Sequence, residues 1–141
     1  MRTIEQMERM CRNARILVVD DNAAIRQLMG AVLAEEGFVC EEAVDGADAL
    51  DKLAIGVYDA IVSDHEMPRL DGLSLLEEIR RRGIRTPVII QTAGEDVLLE
   101  SAFWRTGAFR VLSKGQFEEL LESLREAVAT SRPYPWVAGE P

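Results

Sequence analysis

Ile61-Val62-Ser63-Asp64-His65-Glu66-Met67-Pro68-Arg69-Leu70-Asp71-Gly72 is the stretch that decides the fold. The apolar run from Ala60 to Val62 reads as the end of a buried strand, and Asp64 stands just past it. Turn signals follow at Pro68 and Asp71-Gly72, then a helical pattern through Leu73, Leu76 and Ile79. A carboxylate at the carboxyl end of an interior strand is a usual place for chemistry in an open α/β sheet.

The same alternation extends in both directions. Upstream, Ile16-Leu17-Val18-Val19 is a continuous apolar run that ends in Asp20-Asp21, as expected for a strand covered on both faces. Asn22 is a good helix cap, and Ile25, Leu28, Met29, Val32 and Leu33 form a stripe closed by Gly37. Phe38–Ala43 reads as a second strand and Ala47–Ile55 as a helix. Tyr58–Ser63 is the third strand, and Leu73–Arg82 a helix with Asp71 as its cap. Downstream come a strand over Thr86–Thr92, a helix over Glu95–Thr106, a strand over Ala108–Leu112 and a helix over Gln116–Ser131. Five strands alternating with helices predict a doubly wound parallel α/β sheet with helices on both faces.

The predicted regular domain spans 15–131. Residues 1–14 form an N-terminal extension, helical over 3–12, with Thr3 as a cap and Ile4, Met7 and Met10 on one side. Residues 132–141 hold three prolines and read as an exposed tail.

Composition narrows the function. At 48% hydrophobic and 29% charged, the 141 residues are those of an ordinary globular domain. A net charge of −9 argues against nonspecific binding to nucleic acid or anionic membranes. The basic run Arg80-Arg81-Arg82 with Arg85 reads as a solvated helix end. Cys11 and Cys40 form no metal or disulfide pattern, and Cys40 is expected to be a buried small hydrophobe. The charged start is unlike a signal peptide and no apolar run matches a membrane span, so a cytoplasmic location is the expectation.

In a parallel sheet all carboxyl ends share one edge, which brings Asp20, Asp21, Asp64, Thr92 and Lys114 together. Clustered carboxylates repel unless a cation sits among them, and hard oxygen ligands suit Mg2+. With that cation, the ammonium of Lys114 and the hydroxyl of Thr92, the site is suited to accept a phosphoryl group on Asp64 as an acyl phosphate.

The chain from about Arg15 to Ser131 resembles the receiver domain of two-component response regulators. The resemblance rests on Ile16-Leu17-Val18-Val19-Asp20-Asp21-Asn22, Ile61-Val62-Ser63-Asp64 with Met67-Pro68 and Asp71-Gly72, Thr92-Ala93, and Gly107-Ala108 leading to Lys114. It implies a flavodoxin-like strand order 2-1-3-4-5. It also implies a stand-alone signalling switch, not an enzyme beyond slow autodephosphorylation, with Asp64 phosphorylated by a histidine kinase or histidine phosphotransfer protein. By the same resemblance Asp21, Asp64 and the backbone carbonyl of Glu66 bind Mg2+, Asp20 assists through water, and Thr92 and Lys114 contact the phosphoryl oxygens. His65 is read as a loop side chain with no role in transfer.

Two positions depart from that pattern. Gly115 replaces the proline after the lysine, which leaves two expectations: a trans peptide with a shifted Lys114, or a cis peptide under strain. Val111 replaces the switching aromatic. The helix over Glu95–Thr106 carries apolar side chains on three adjacent stripes. Val97, Trp104 and Val111 are therefore candidates for a surface that meets a downstream protein or a second copy. Two rival functions fit the same architecture: a metal-dependent aspartyl phosphatase with Glu66 as acid/base, and a receiver controlled by binding without phosphorylation.

Overall fold

The computed structural model describes residues 3–131. The tail expected over 132–141 and the side chains of Met7 and Met10 lie outside the described residues.

The element order is α1 (Ile4–Cys11), β1 (Arg15–Val19), α2 (Ala23–Glu35), β2 (Val39–Ala43), α3 (Gly46–Ile55), β3 (Ala60–Asp64), α4 (Gly72–Arg81), β4 (Val88–Thr92), α5 (Val97–Thr106), β5 (Arg110–Ser113) and α6 (Phe117–Ser131). The five strands make one parallel sheet in the order β2-β1-β3-β4-β5. That is the doubly wound α/β sheet the alternation predicted, in the flavodoxin-like order.

The continuous apolar runs are explained by burial on both faces. Side chains alternate along a strand, so Ile16, Val18, Val62 and Ile89 face one layer, with Met29 and Leu33 of α2 and Leu120, Leu124 and Val128 of α6. Leu17, Val19, Ile61 and Ile90 face the other, against Leu53 of α3, Leu75, Leu76 and Ile79 of α4 and Phe103 of α5. Each large side chain removed from water in this way contributes about 1.5–3 kcal/mol.

The caps are those the sequence offers. Asn22 accepts from the Ile25 N–H at 3.1 Å, Asp71 from Ser74 at 2.8 Å, and Thr3 and Gln6 exchange bonds in a capping box that starts α1. α1 packs along α6, and its last residue, Cys11, is buried in the core beside Ala14. Ile4, which the sequence puts on one side of α1 with Met7 and Met10, is 77% exposed.

Three expectations are corrected. Only Met29 and Leu33 of the α2 stripe are buried; Ile25 and Leu28 are exposed and line the cleft that Asp21 also borders. Cys40 is half-buried on the edge strand β2; burial, then the charge of Glu42, pushes its thiol up to about 11. Arg80 is not a solvated helix end: it is half-buried, and its guanidinium donates to the carbonyls of Ile84, Thr86 and Gly107, each at 2.9 Å. Arg81 and Arg82 do stand in solvent, paired with Glu78.

Candidate functional site at the carboxyl edge of the sheet

β1 and β3 are neighbours, with Val19 opposite Ser63, so the residues that follow them emerge side by side. This is where the strand order reverses direction from β1 to β2 on one side and β3 on the other, the usual ligand crevice of such sheets. Asp64 ends β3 and is buried; Asp20 is nearly as buried, and Asp21 is exposed. One carboxylate oxygen of each of the three lies within 4.8 Å of the others. Burial pushes the Asp20 carboxyl up most; the Asn22 N–H, bonded at 2.9 Å, opposes this, while the charges of Asp64 and Asp21 add to it. Arg26, reaching back from α2, donates to the Asp20 carbonyl at 2.6 Å.

The cationic half of the site comes from the β5–α6 turn. Lys114 Nζ is 2.8 Å from Asp64 Oδ1 and 3.2 Å from Glu66 Oε1. Burial lowers its pKa, but its bonds to Asp64 and Glu66 outweigh this and hold it above the usual lysine value. The Lys114–Gly115 bond is trans, since the described residues contain no cis peptide. Of the two outcomes expected for this turn the trans one is found, and Lys114 reaches Asp64 all the same. Gly115 sits at φ +89°, a region closed to proline and uncomfortable for any side chain. The chain therefore turns here by a different backbone path, and glycine is the residue that allows it.

Thr92 ends β4 beside Ser113, and its hydroxyl donates to Glu66 Oε2 at 2.8 Å. The Ala93 N–H donates to Glu66 Oε1 at 2.9 Å. Burial pushes the Glu66 carboxyl up, yet the Ala93 N–H, the Thr92 hydroxyl and Lys114 together hold it below the usual range. Sequence reasoning gave Glu66 a backbone carbonyl for the cation and, in the phosphatase alternative, an acid/base carboxyl; the bonds of that carboxylate to Thr92, Ala93 and Lys114 were not foreseen. Ala93, acting through its N–H, left no trace in the sequence beyond following Thr92.

Two supporting residues fix the loop after Asp64. Gly72 donates its N–H to the His65 carbonyl at 3.0 Å, and a Cβ on it would lie 2.8 Å from His65 Cα and 2.9 Å from the Asp64 carbonyl oxygen. Only glycine permits that approach. His65 turns away from the acidic cluster and meets Phe103 edge-on, with ring centres 5.0 Å apart, while its Nδ1 has no hydrogen-bond partner among the described residues.

A cleft of about 410 Å³ opens above the cluster, lined by the three aspartates, Lys114, and the apolar Ile25, Leu28 and Phe117. Val97 and Trp104, on α5, are 79% and 45% exposed, whereas Val111 is half-buried. The sheet edge thus brings Asp20, Asp21, Asp64, Glu66, Thr92 and Lys114 together; Val97 lines a neighbouring cleft with Thr92 and Val111, and Trp104 lines neither that cleft nor the one above the aspartates.

The residues suit a hard divalent cation. Three carboxylates converge, two of them buried, and among the described residues no Lys or Arg forms a salt bridge with Asp20 or Asp21. Mg2+ fits this all-oxygen set, and its charge would offset the mutual repulsion of the three groups.

A doubly wound sheet with an acidic pocket and a lysine at its carboxyl edge defines a class with many solved members. The response regulator receiver domain matches residues 16–125. The response regulator MprA of Mycobacterium bovis is 38% identical over 122 residues, covering 86% of this chain and 53% of MprA; MprA of Mycobacterium avium is 39% identical over 120 residues. The chain spans about half the length of the MprA proteins it matches. Among solved structures, the receiver domain of a Francisella response regulator has a TM-score of 0.81 at 33% identity, covering 85% of this chain and all of that one. The Thermotoga maritima response regulator TrrA, solved in complex with Mg(2+)-BeF, has a TM-score of 0.74 at 36% identity, covering 81% of this chain and 98% of TrrA. The chain belongs to the response regulator receiver domain family of two-component signalling.

Proposed function

We propose that this receiver takes a phosphoryl group from a phosphohistidine donor, a histidine kinase or histidine phosphotransfer protein, onto Asp64. The observation that carries the reading is the pairing of a buried Asp64 with Lys114 at 2.8 Å beside two further carboxylates. In the transfer, an Asp64 carboxylate oxygen forms the new O–P bond as the donor's N–P bond breaks. The electron pair of that bond stays on the imidazole nitrogen, which takes up a proton. Lys114 and the Thr92 hydroxyl then bond phosphoryl oxygens and offset charge that Asp64 alone would repel. Asp21, Asp64 and the backbone carbonyl of Glu66 are the residues that would hold Mg2+, with Asp20 acting through water; the ion supplies charge neutralisation at the transferring group.

Signalling follows from a shift in the Thr92 and Lys114 loops toward the new anion, passed to a protein partner. Val97 and Trp104 are the residues proposed to meet that partner or a second copy of the chain. Val111, half-buried and lining one cleft with Val97, is proposed to act through that contact. The phosphatase alternative is disfavoured by Glu66: a general acid works best with a raised pKa, and this carboxyl is held down by three donors.

The test is incubation of the purified chain with Mg2+ and acetyl phosphate, read by intact mass. The expected result is a Mg2+-dependent gain of one phosphoryl group that Asp64→Ala abolishes. No gain from acetyl phosphate or from any kinase sinks the reading, and sustained phosphomonoester turnover favours the phosphatase.

A further inference from the structure

The Glu66 carboxylate accepts from the Thr92 hydroxyl at 2.8 Å and the Ala93 N–H at 2.9 Å, and lies 3.2 Å from Lys114 Nζ. Two of these three donors, Thr92 and Lys114, are those assigned above to the phosphoryl oxygens. A carboxylate presents two anionic oxygens on one atom, the same acceptor pattern that one edge of a phosphoryl group presents. We infer that Glu66 is an internal stand-in for the phosphoryl group, seated in its place while Asp64 is unmodified and expelled when it is loaded. This rests on Asp64 being the phosphoacceptor.

Stoichiometry of donors makes the two occupants exclusive. A hydroxyl and a backbone N–H each have one hydrogen to give, so Thr92 and Ala93 cannot fully serve Glu66 and a phosphoryl oxygen together. Lys114 has three and can turn between partners. Charge adds to the exclusion, because a seated carboxylate beside Asp64 would repel an incoming dianion. Glu66 is also free to leave: its side chain is 43% exposed and borders both the main cleft and a second one toward Leu99, Phe103 and Val111. Its backbone stays in place, with the N–H on Asp64 Oδ1 at 3.2 Å. Glu66 is therefore not a catalytic residue but a competing internal ligand that sets how much donor is needed to fill the site. Its departure unties the Ala93 N–H, and so the β4–α5 loop, in a domain where Val111 supplies no aromatic swing.

A competitor that holds the seat about 90% of the time raises the apparent half-saturating ligand concentration about 10-fold. Wild type, Glu66→Ala and Glu66→Gln are compared by two readouts with Mg2+ present. Loading by acetyl phosphate is followed by intact mass across donor concentration. Binding of inorganic phosphate, which needs no transfer, is followed by calorimetric titration. For Glu66→Ala the half-saturating acetyl phosphate and the phosphate dissociation constant are both expected to fall about 10-fold, with a smaller change in maximal rate. Glu66→Gln keeps an oxygen for Thr92 or Ala93 but loses the charge pair with Lys114, and is expected between the two. If phosphate affinity in Glu66→Ala equals or falls below that of wild type, the stand-in is refuted, even where Asp64 is phosphorylated normally. If none of the proteins gains a phosphoryl group, the phosphoacceptor reading fails by itself, and tighter phosphate binding by Glu66→Ala would still place Glu66 in an anion seat.

Discussion

Gly115 shows how one residue can redirect a site without dismantling it. Its φ of +89° lies where side chains are disfavoured, and nothing stands within 4 Å of a Cβ placed there, so a substitution meets a conformational penalty and no clash. Gly115→Ala is expected to lower stability by about 1–2 kcal/mol, seen as a lower urea midpoint at unchanged slope. Gly115→Pro should do more harm, because a ring that locks φ near −65° reverses the turn and draws Lys114 away from Asp64. Its loading by acetyl phosphate should be slower than that of Gly115→Ala; equal rates would mean that Lys114 placement is independent of this turn. Sequence reasoning identified the exception but left its geometry open, since a glycine permits several paths and only the closed turn selects one. The strand-end residues Asp20, Asp21, Asp64, Thr92 and Lys114 were legible because strand direction alone carries them to one edge. The Glu66 carboxylate was weighed only as an acid/base, and its bonds to Thr92, Ala93 and Lys114 were not legible, because a side chain with three rotatable bonds can reach many partners.

Elements were legible wherever burial imposed a period. Runs covered on both faces gave β1, β3 and β4, and Asn22 and Asp71 marked helix starts at the expected places. What escaped notice was contact between distant segments. Arg80 closes the end of α4 against the start of β4 and the turn after α5, and one of its carbonyl partners lies 27 residues away. Arg80→Ala leaves those carbonyls short of a donor and is expected to cost about 2–3 kcal/mol. Arg80→Lys should recover little of it, because one ammonium cannot span the fork. Urea unfolding of the three proteins decides this, and a loss below about 0.5 kcal/mol would return Arg80 to the class of ordinary surface charges. The first turn of α3 gives a pH-dependent counterpart. Asp48 accepts from the Val44 N–H at 2.9 Å and from Lys52 at 3.0 Å, and these bonds hold its carboxyl below the ordinary value of 3.8. A carboxyl lowered in the folded state contributes stability that is complete above its unfolded pKa and lost as pH falls through the folded one. Asp48→Asn should therefore be less stable than wild type at pH 7, with the gap closing in acid below pH about 4. A gap that stays constant from pH 7 to pH 3 would contradict the assignment.

At the scale of the whole molecule, the acidic edge sets stability against readiness for a cation. Asp20, Asp21 and Asp64 place three oxygens within 4.8 Å of one another in a chain of net charge −9, with Lys114 on only one of them. Like charges at such distances repel by about 1–4 kcal/mol depending on exposure. The exposed Asp21 contributes toward the lower end. Without a cation the fold carries that repulsion, and with one it becomes binding energy, so the sign of a substitution should depend on the ion. Asp21→Asn removes one charge and keeps the shape. In EDTA it should melt about 3–5 °C above wild type, the shift expected for roughly 1 kcal/mol in a domain of this size. In saturating Mg2+ the order should reverse: wild type gains RT ln(1 + [Mg2+]/Kd), about 2.7 kcal/mol at 100 times Kd, while the variant, with a neutral amide oxygen in place of one anionic ligand, gains far less. Calorimetric melting of both proteins in EDTA and in MgCl2 reads all four values. If Asp21→Asn melts lower than wild type in EDTA, then Asp21 is held by favourable local contacts and the edge is not strained by its charge. If Mg2+ raises both proteins equally, the ion binds somewhere other than among these three aspartates.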